Sequence, residues 1–516
     1  MSGEPPRRRG AAALAAAAHA VHERPALRRW YDALEVGQRQ LAEPLRVAVV
    51  GRVSAGKSTL VNALLGADVA PTAVNELTAN TTWFVPGAQP TVMVHFRDGR
   101  PPAVHSPDRL ADLAGAARDD EGQQGLLAAV DRIVVTHPSP ALRAFHLVDT
   151  PGLDSVVARD SQTTLRLLDR SRNDHAHAVV MVIRHTGLAE GLRTLVTDPT
   201  DNADGTGPVT TVGAMTWVES FWPRHPDPLA RAAAHAGELM TGPTAGRTLF
   251  TLRPVASLLA CGAATLTDGQ YDDLTALAPF AGADPLELSP LRRFLRNRAA
   301  FAGSDTLPVP VPPQRRATLW RRLSPYGIDL ACRVLRERHA GDLPQLRDLL
   351  LAHSGIVGFT RLLTDHFGRR ADLVKLRGLL DQMYHLRDEL ADTLHEGRDR
   401  SALRDATRAL LRYDLDEPGF DELGVLRDLH AGRLVLGDAD ATDVRRVTGE
   451  FGTDPADRLG LPAGADPALL AATALSRFGH WAARAAATGR TDAERRAAQV
   501  VRRGYEQLLG QLVVQR

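Results

Sequence analysis

Lysine is almost missing from this 516-residue chain: Lys57 and Lys375 are the two examples among 62 basic residues, the rest being arginine. Where arginine is written almost everywhere, a retained lysine marks a place for a compact ammonium on a flexible stem, which a planar guanidinium replaces poorly. Cysteine is as scarce. Cys261 and Cys332 have neither paired nor metal-like spacing, which excludes a disulfide framework and reads as buried thiols in a reducing cytoplasm. An excess of one charge is lacking too. The 62 basic residues face 61 acidic ones, a formal +1, so the overall charge predicts no nucleic-acid partner. Long apolar runs are also missing: the nearest, "LFTLRPVASLLACGAATL", is broken by Arg253 and Pro254 short of the roughly 20 residues that cross a bilayer. The start, "MSGEPPRRRGAAALAAAAHAV", has the outline of a signal peptide, but alanine is weakly hydrophobic and no cleavage site precedes "HERPALRRW". It reads as a disordered tip leading into a helix. What remains, 44% hydrophobic and 24% charged, is the composition of a soluble globular protein long enough for two or three domains.

What is present begins with "GRVSAGKST", residues 51 to 59, directly after the strand-like "LRVAVV". The spacing G-x-x-x-x-G-K-S runs from Gly51 to Ser58. Its glycines allow successive backbone N–H groups to face phosphate oxygens, and the helix that follows adds its positive dipole end. Gly51, Ser54, Ala55, Gly56, Lys57, Ser58 and Thr59 are the candidate phosphate-binding stretch, with Lys57 directed to the β- and γ-phosphates and the Ser58 hydroxyl to Mg²⁺. The other half of such a site is an Asp closing a hydrophobic strand, and "AFHLVDTPGLDS" supplies D-x-x-G from Asp149 to Gly152. Asp149 would hold a Mg²⁺-bound water and the Gly152 N–H would sense the γ-phosphate. Between the two lies "VAPTAVNELTANTTWFVPG", where Thr78, Thr81 and Thr82 are candidates for the threonine that closes on metal and γ-phosphate, Thr78 foremost.

Around these motifs the pattern is α/β. "LRVAVV", "TTWFV", "TVMVHF", "RIVVTH", "AFHLVD", "AHAVVMVIRH" and "TTVGAMTW" are predicted strands, several of them continuous apolar runs of the kind buried in a mostly parallel sheet. "TLFTLRPVASLLA" is the last strand and its exit. A helical pattern covers about 11–44. Beyond 262 the strands stop and helical periodicity takes over, its longest run covering 357–400. A Gly/Asp/Pro-rich patch at 436–467 precedes a last helical pair, 468–487 and 491–515. The expected division is 1–44 for a tip and neck-like helix, 45–262 for the nucleotide-binding domain, and 263–516 for a helical, stalk-like domain.

"GRVSAGKSTLVNALLG", "VAPTAVNELTANTTWF" and "SPALRAFHLVDTPGLDS" together resemble the bacterial dynamin-like GTPases, particularly actinobacterial ones. Pro-Thr followed by clustered threonines, a long gap to Asp149, and helices on both sides of the GTPase domain carry the likeness. The motif match covers about 45–262. The resemblance implies GTP or GDP with Mg²⁺ on Ser58, Thr78 and Asp149, catalysis involving Lys57, Ser58 and Thr78, and association with a second copy or a paralogous dynamin-like partner. It also implies a cytoplasmic protein with peripheral contact at the inner face of the cell membrane; the helices themselves, with Arg and Asp/Glu interleaved, show no membrane paddle.

Two motifs depart from the family, at Val53 and at Trp217 with Glu219. Val53 stands where dynamins often carry a glutamine that helps orient the attacking water. The guanine-reading T-K-x-D is replaced by Thr216, Trp217, Val218 and Glu219. Glu219 keeps the acceptor with one more methylene, and Trp217 is placed to stack on a base; the other reading of this stretch is a surface loop that has lost base recognition. Two functions follow: a slow dynamin-like GTPase, or a pseudo-GTPase scaffold that regulates an active partner by occupancy.

Overall fold

The computed structural model describes residues 5–72, 80–114, 129–151, 176–186, 207–282, 289–303 and 309–514, apart from single positions 369, 396, 431 and 453. A strand with no polar face must be covered on both sides, and the apolar runs behave accordingly. β1 (Leu45–Gly51) is buried along its whole length at the centre of a nine-stranded sheet. With β2 (Thr82–Pro86), β3 (Thr91–Phe96), β4 (Ala103–His105), β5 (Val130–His137), β6 (Phe145–Asp149), β7 (Ala178–Arg184), β8 (Thr211–Thr216) and β9 (Thr251–Pro254), the order is β4-β3-β5-β2-β6-β1-β7-β8-β9. From β6 to β9 the neighbours run parallel, so the ends of β6, β1, β7 and β8 share one edge. In open α/β sheets that carboxyl edge is where ligands bind. β2 runs against β6 and sets Thr82 opposite Asp149. β4 is not among the expected strands; at three residues after "GRPP" it has no pattern of its own and exists by pairing with β3.

Alternation along β7 and β8 divides two cores. Val180, Val182, Val212 and Ala214 face one side, where the helix α3 (Lys57–Leu65) packs with Phe359, Leu363 and Phe367. Met181, Ile183 and Met215 face the other, among helices drawn from 228 to 354. The N-terminal α1 (Pro6–Val21) and α2 (Arg28–Ala42) are split by a short 3₁₀ turn and join helices Ala371–Thr393 and Arg398–Asp416 in a third core around Trp30. Gly10 and Gly37 let them close: a Cβ on either would lie 2.5 or 2.4 Å from the methyls of Leu376 and Leu379. Lys375 caps this joint, its ammonium 3.1 Å from the Leu41 carbonyl and 2.8 Å from that of Glu43, just ahead of β1.

The helical run expected over 357–400 is interrupted. Ile356–Leu363 gives way to a π-turn, Thr364–Gly368, before Ala371–Thr393 resumes, and Arg398 opens a further helix. His366 accounts for the first break. Its ring stacks on Phe250 at 3.8 Å, its Nε2–H donates to the Val209 carbonyl (2.6 Å), and its Nδ1 accepts from Arg370 (2.7 Å). Burial and the Arg370 charge hold His366 well below the ordinary imidazole range, so it stays neutral. A turn bound to the sheet in this way cannot follow regular i→i−4 bonding. The 436–467 patch contains two short helices, Asp438–Val447 and Pro455–Leu459, and the last pair runs over Pro467–Ala486 and Asp492–Val514. Among the described residues no helix is long and apolar enough to cross a membrane.

Candidate functional site

Gly51 ends β1 so close to β7 that a Cβ would sit 2.5 Å from the Val182 carbonyl oxygen, which is why a glycine opens the loop. Ser54 (φ 59°) and Gly56 (φ 98°) then turn the chain through left-handed backbone into the first turn of α3. The turn brings Lys57 back over the loop that carries it. Its Nζ donates to the carbonyls of Gly51 (3.1 Å) and Arg52 (3.0 Å). An ammonium held this way lies beside a helix N-terminus, and the two positive fields add.

Asp149 arrives from β6, one strand away. Ser58 Oγ donates to its Oδ2 at 2.8 Å, and Thr150 next to it donates to the Val49 carbonyl at 2.9 Å. Burial pushes the Asp149 carboxyl up to about 6, against the opposing pull of Lys57 and the Ser58 hydroxyl. Among the described residues its Oδ1 is covered and has no hydrogen-bond partner, and the same holds for the hydroxyls of Thr81 and Thr82. Since Thr82 is the cross-strand partner of Asp149, unsatisfied oxygens gather at one end of β6 and β2. Hydroxyl and carboxylate oxygens are the donors a hard divalent cation takes. The residues present therefore fit magnesium.

β8 brings the loop from Thr216 to Glu219 against the Gly51–Ser58 loop. Thr216 Oγ1 donates to the Ala55 carbonyl at 2.7 Å. Trp217 follows in left-handed backbone (φ 60°), its indole Nε1 3.8 Å from where a Gly56 Cβ would lie. Glu219 sits in the next 3₁₀ turn, half-buried, with Oε2 covered and unpartnered among the described residues; burial pushes its carboxyl up. Gly51, Ser54, Ala55, Gly56, Lys57, Ser58, Asp149 and Thr216 are thus brought together, with Thr59 on the first turn of α3 and Glu219 three residues beyond Thr216. Thr78 and Gly152 lie outside the described residues. Two residues not singled out by sequence pack against Trp217: Arg184 at the end of β7 and Ser220, which donates to the Trp217 carbonyl at 2.7 Å. Arg184 closes a predicted strand beside a predicted loop, which was the available signal. Among the described residues no group of three His, Cys, Asp or Glu side chains converges as a metal cluster.

A family model described as the dynamin family matches residues 47–186. The isoniazid-induced protein IniC of Mycobacterium tuberculosis is 31% identical over 456 residues, covering 87% of this chain and 87% of that protein. A bacterial dynamin-like protein of Nostoc punctiforme is 31% identical over 145 residues, 27% of this chain and 20% of its own length. A solved structure of an oligomerised bacterial dynamin pair covers 94% of this chain and 87% of its own at 10% identity and a TM-score of 0.33, too loose a superposition to carry an argument.

Proposed function

This chain belongs to the dynamin-like GTPase family, and on that premise we propose that it binds GTP with magnesium, hydrolyses it slowly, and couples occupancy to association with a second copy or a paralogous dynamin-like partner. The observation that carries the reading is the meeting of Ser58 with Asp149 at 2.8 Å beside the anchored Lys57 ammonium. Lys57 and the loop N–H groups bind and orient the phosphates; Ser58 and Asp149 hold the cation. Bound magnesium would neutralise charge on the phosphate oxygens. Thr78 and Gly152 are assigned to the γ-phosphate, and Glu219 to guanine as the acceptor of its N–H groups. The Val53 side chain has no polar atom with which to orient water, which supports slow turnover. The division at 44 and 262, a cytoplasmic location and peripheral contact with the membrane's inner face belong to the same proposal, the last supported by family alone.

Calorimetry with GTP and GDP, with and without Mg²⁺, followed by phosphate release, tests it. Magnesium-dependent binding with slow release is expected; no binding of either nucleotide would overturn the reading. Val53 favours a second reading, a nucleotide-binding scaffold without turnover. Tight GTP binding with no phosphate released would select it.

A further inference from the structure

At the base side, the side chain following Thr216 is Trp217, an indole where the family carries a lysine. The residue is 44% exposed, one of the large apolar side chains left open among the described residues. The other five tryptophans, Trp30, Trp83, Trp222, Trp320 and Trp481, are buried or half-buried. Trp217 is held in place. Its backbone occupies the left-handed region, its carbonyl accepts from Ser220, and Thr216 ties the preceding residue to the Ala55 carbonyl. The Arg184 guanidinium lies 4.1 Å from the ring centroid, covering one face. The indole Nε1 lies 3.8 Å from where a Gly56 Cβ would be, which puts the ring beside the loop assigned to the phosphates.

We infer that Trp217 and Arg184 form a two-layer plate on which the nucleotide's base stacks, replacing the lysine stem as the main source of base affinity. This rests on the nucleotide-binding reading above. Every base has a π-face, so a plate supplies affinity without reading hydrogen-bond edges. A cation behind the ring draws electron density from it, favouring an electron-rich purine on the free face. Affinity and guanine selection are then separated: Trp217 with Arg184 supplies the first, Glu219 the second.

Trp217 being the exposed tryptophan makes the plate directly measurable. Iodide quenching of the full chain's tryptophan fluorescence is recorded with Mg²⁺ and GTP, with Mg²⁺ and inorganic tripolyphosphate, and with neither; calorimetry on the same samples reports binding. Trp217→Phe identifies the quenchable component. GTP is expected to lower the iodide quenching constant at least about twofold, while tripolyphosphate, which has no base, binds and leaves it unchanged. Trp217→Ala is expected to weaken GTP roughly five- to a hundredfold, the range for losing one base–aromatic stack, with tripolyphosphate affinity unaltered. Arg184→Gln is expected to weaken GTP by a smaller factor. GTP that binds by calorimetry yet leaves Trp217 open to iodide would overturn the plate alone. Absence of binding by GTP and tripolyphosphate together would overturn the plate and the nucleotide reading with it.

Discussion

At the phosphate end, from Gly51 to Ser58, the contacts that matter run through backbone: the glycine that clears Val182, the left-handed turn at Ser54 and Gly56, and two carbonyls that hold Lys57. At the base end, from Thr216 to Glu219, they run through side chains: an indole, a guanidinium behind it and a covered carboxylate. The two ends touch through the Thr216–Ala55 hydrogen bond, so they share one frame. A backbone cradle tolerates almost no change, because each glycine answers a steric requirement. A side-chain platform can change its chemistry while the frame stays. This is why the first end keeps its spacing and the second departs from the family.

Breaking the phosphate end should cost most. Lys57→Ala removes the charge assigned to two phosphates, and losing one partner of a buried charge pair costs about 3–5 kcal/mol, a hundredfold or more in affinity. The fold should survive, as read by circular dichroism; unchanged nucleotide affinity in the folded variant would detach Lys57 from the site. The base end should yield less. Glu219→Gln removes a charge-assisted acceptor worth about 1.5–3 kcal/mol, hence roughly ten- to a hundredfold for GTP and little for ATP in competition calorimetry. An equal loss for both nucleotides would place Glu219 outside base recognition.

Smaller effects sharpen the contrast. Thr78→Ala should weaken a non-hydrolysable triphosphate more than GDP, by about tenfold, since in the proposed switch the γ-phosphate alone recruits Thr78; equal weakening would remove Thr78 from the switch. Protons should compete with magnesium at the phosphate end. The Asp149 carboxyl, raised to about 6 in the nucleotide-free protein, takes up a proton below that pH, so apparent Mg²⁺ affinity should fall as pH drops through 6, approaching tenfold per unit. The same raised value means that Asp149 destabilises the nucleotide-free fold as pH climbs from about 4 to 6, because the folded state holds the proton longer. Asp149→Asn should therefore raise the melting temperature of the nucleotide-free protein at pH 7.5, by up to about 3 kcal/mol of stability. A lower melting temperature would contradict the burial argument.

Legibility in the sequence followed the same division. The strands carrying the site were readable because LRVAVVG, AVVMVIR and TVGAMT leave no polar face and each ends at a residue with chemistry, Gly51, Arg184 or Thr216. Asp149 was readable because it closes "FHLVD". Contacts made at long range were hidden. Nothing local marks β4 as a strand or sets β2 against β6. The apolar period runs unbroken through Phe367, and the helix yields there because His366 reaches Val209, 157 positions away. Trp217 was visible as a departure from the family, but the stack with Arg184 required the pairing of β7 with β8, which sets Arg184 beside Thr216.

The central claim is that the base end has changed its materials and still reads guanine. The most direct test is the ratio of GTP to ATP affinity, measured by calorimetry at pH 7.5 with Mg²⁺, in the wild type and in the Trp217→Lys, Glu219→Asp double variant. The account predicts a wild-type preference for GTP of at least about tenfold, the value of one charge-assisted bond, and a larger preference in the double variant. Equal affinity for GTP and ATP in the wild type would contradict it.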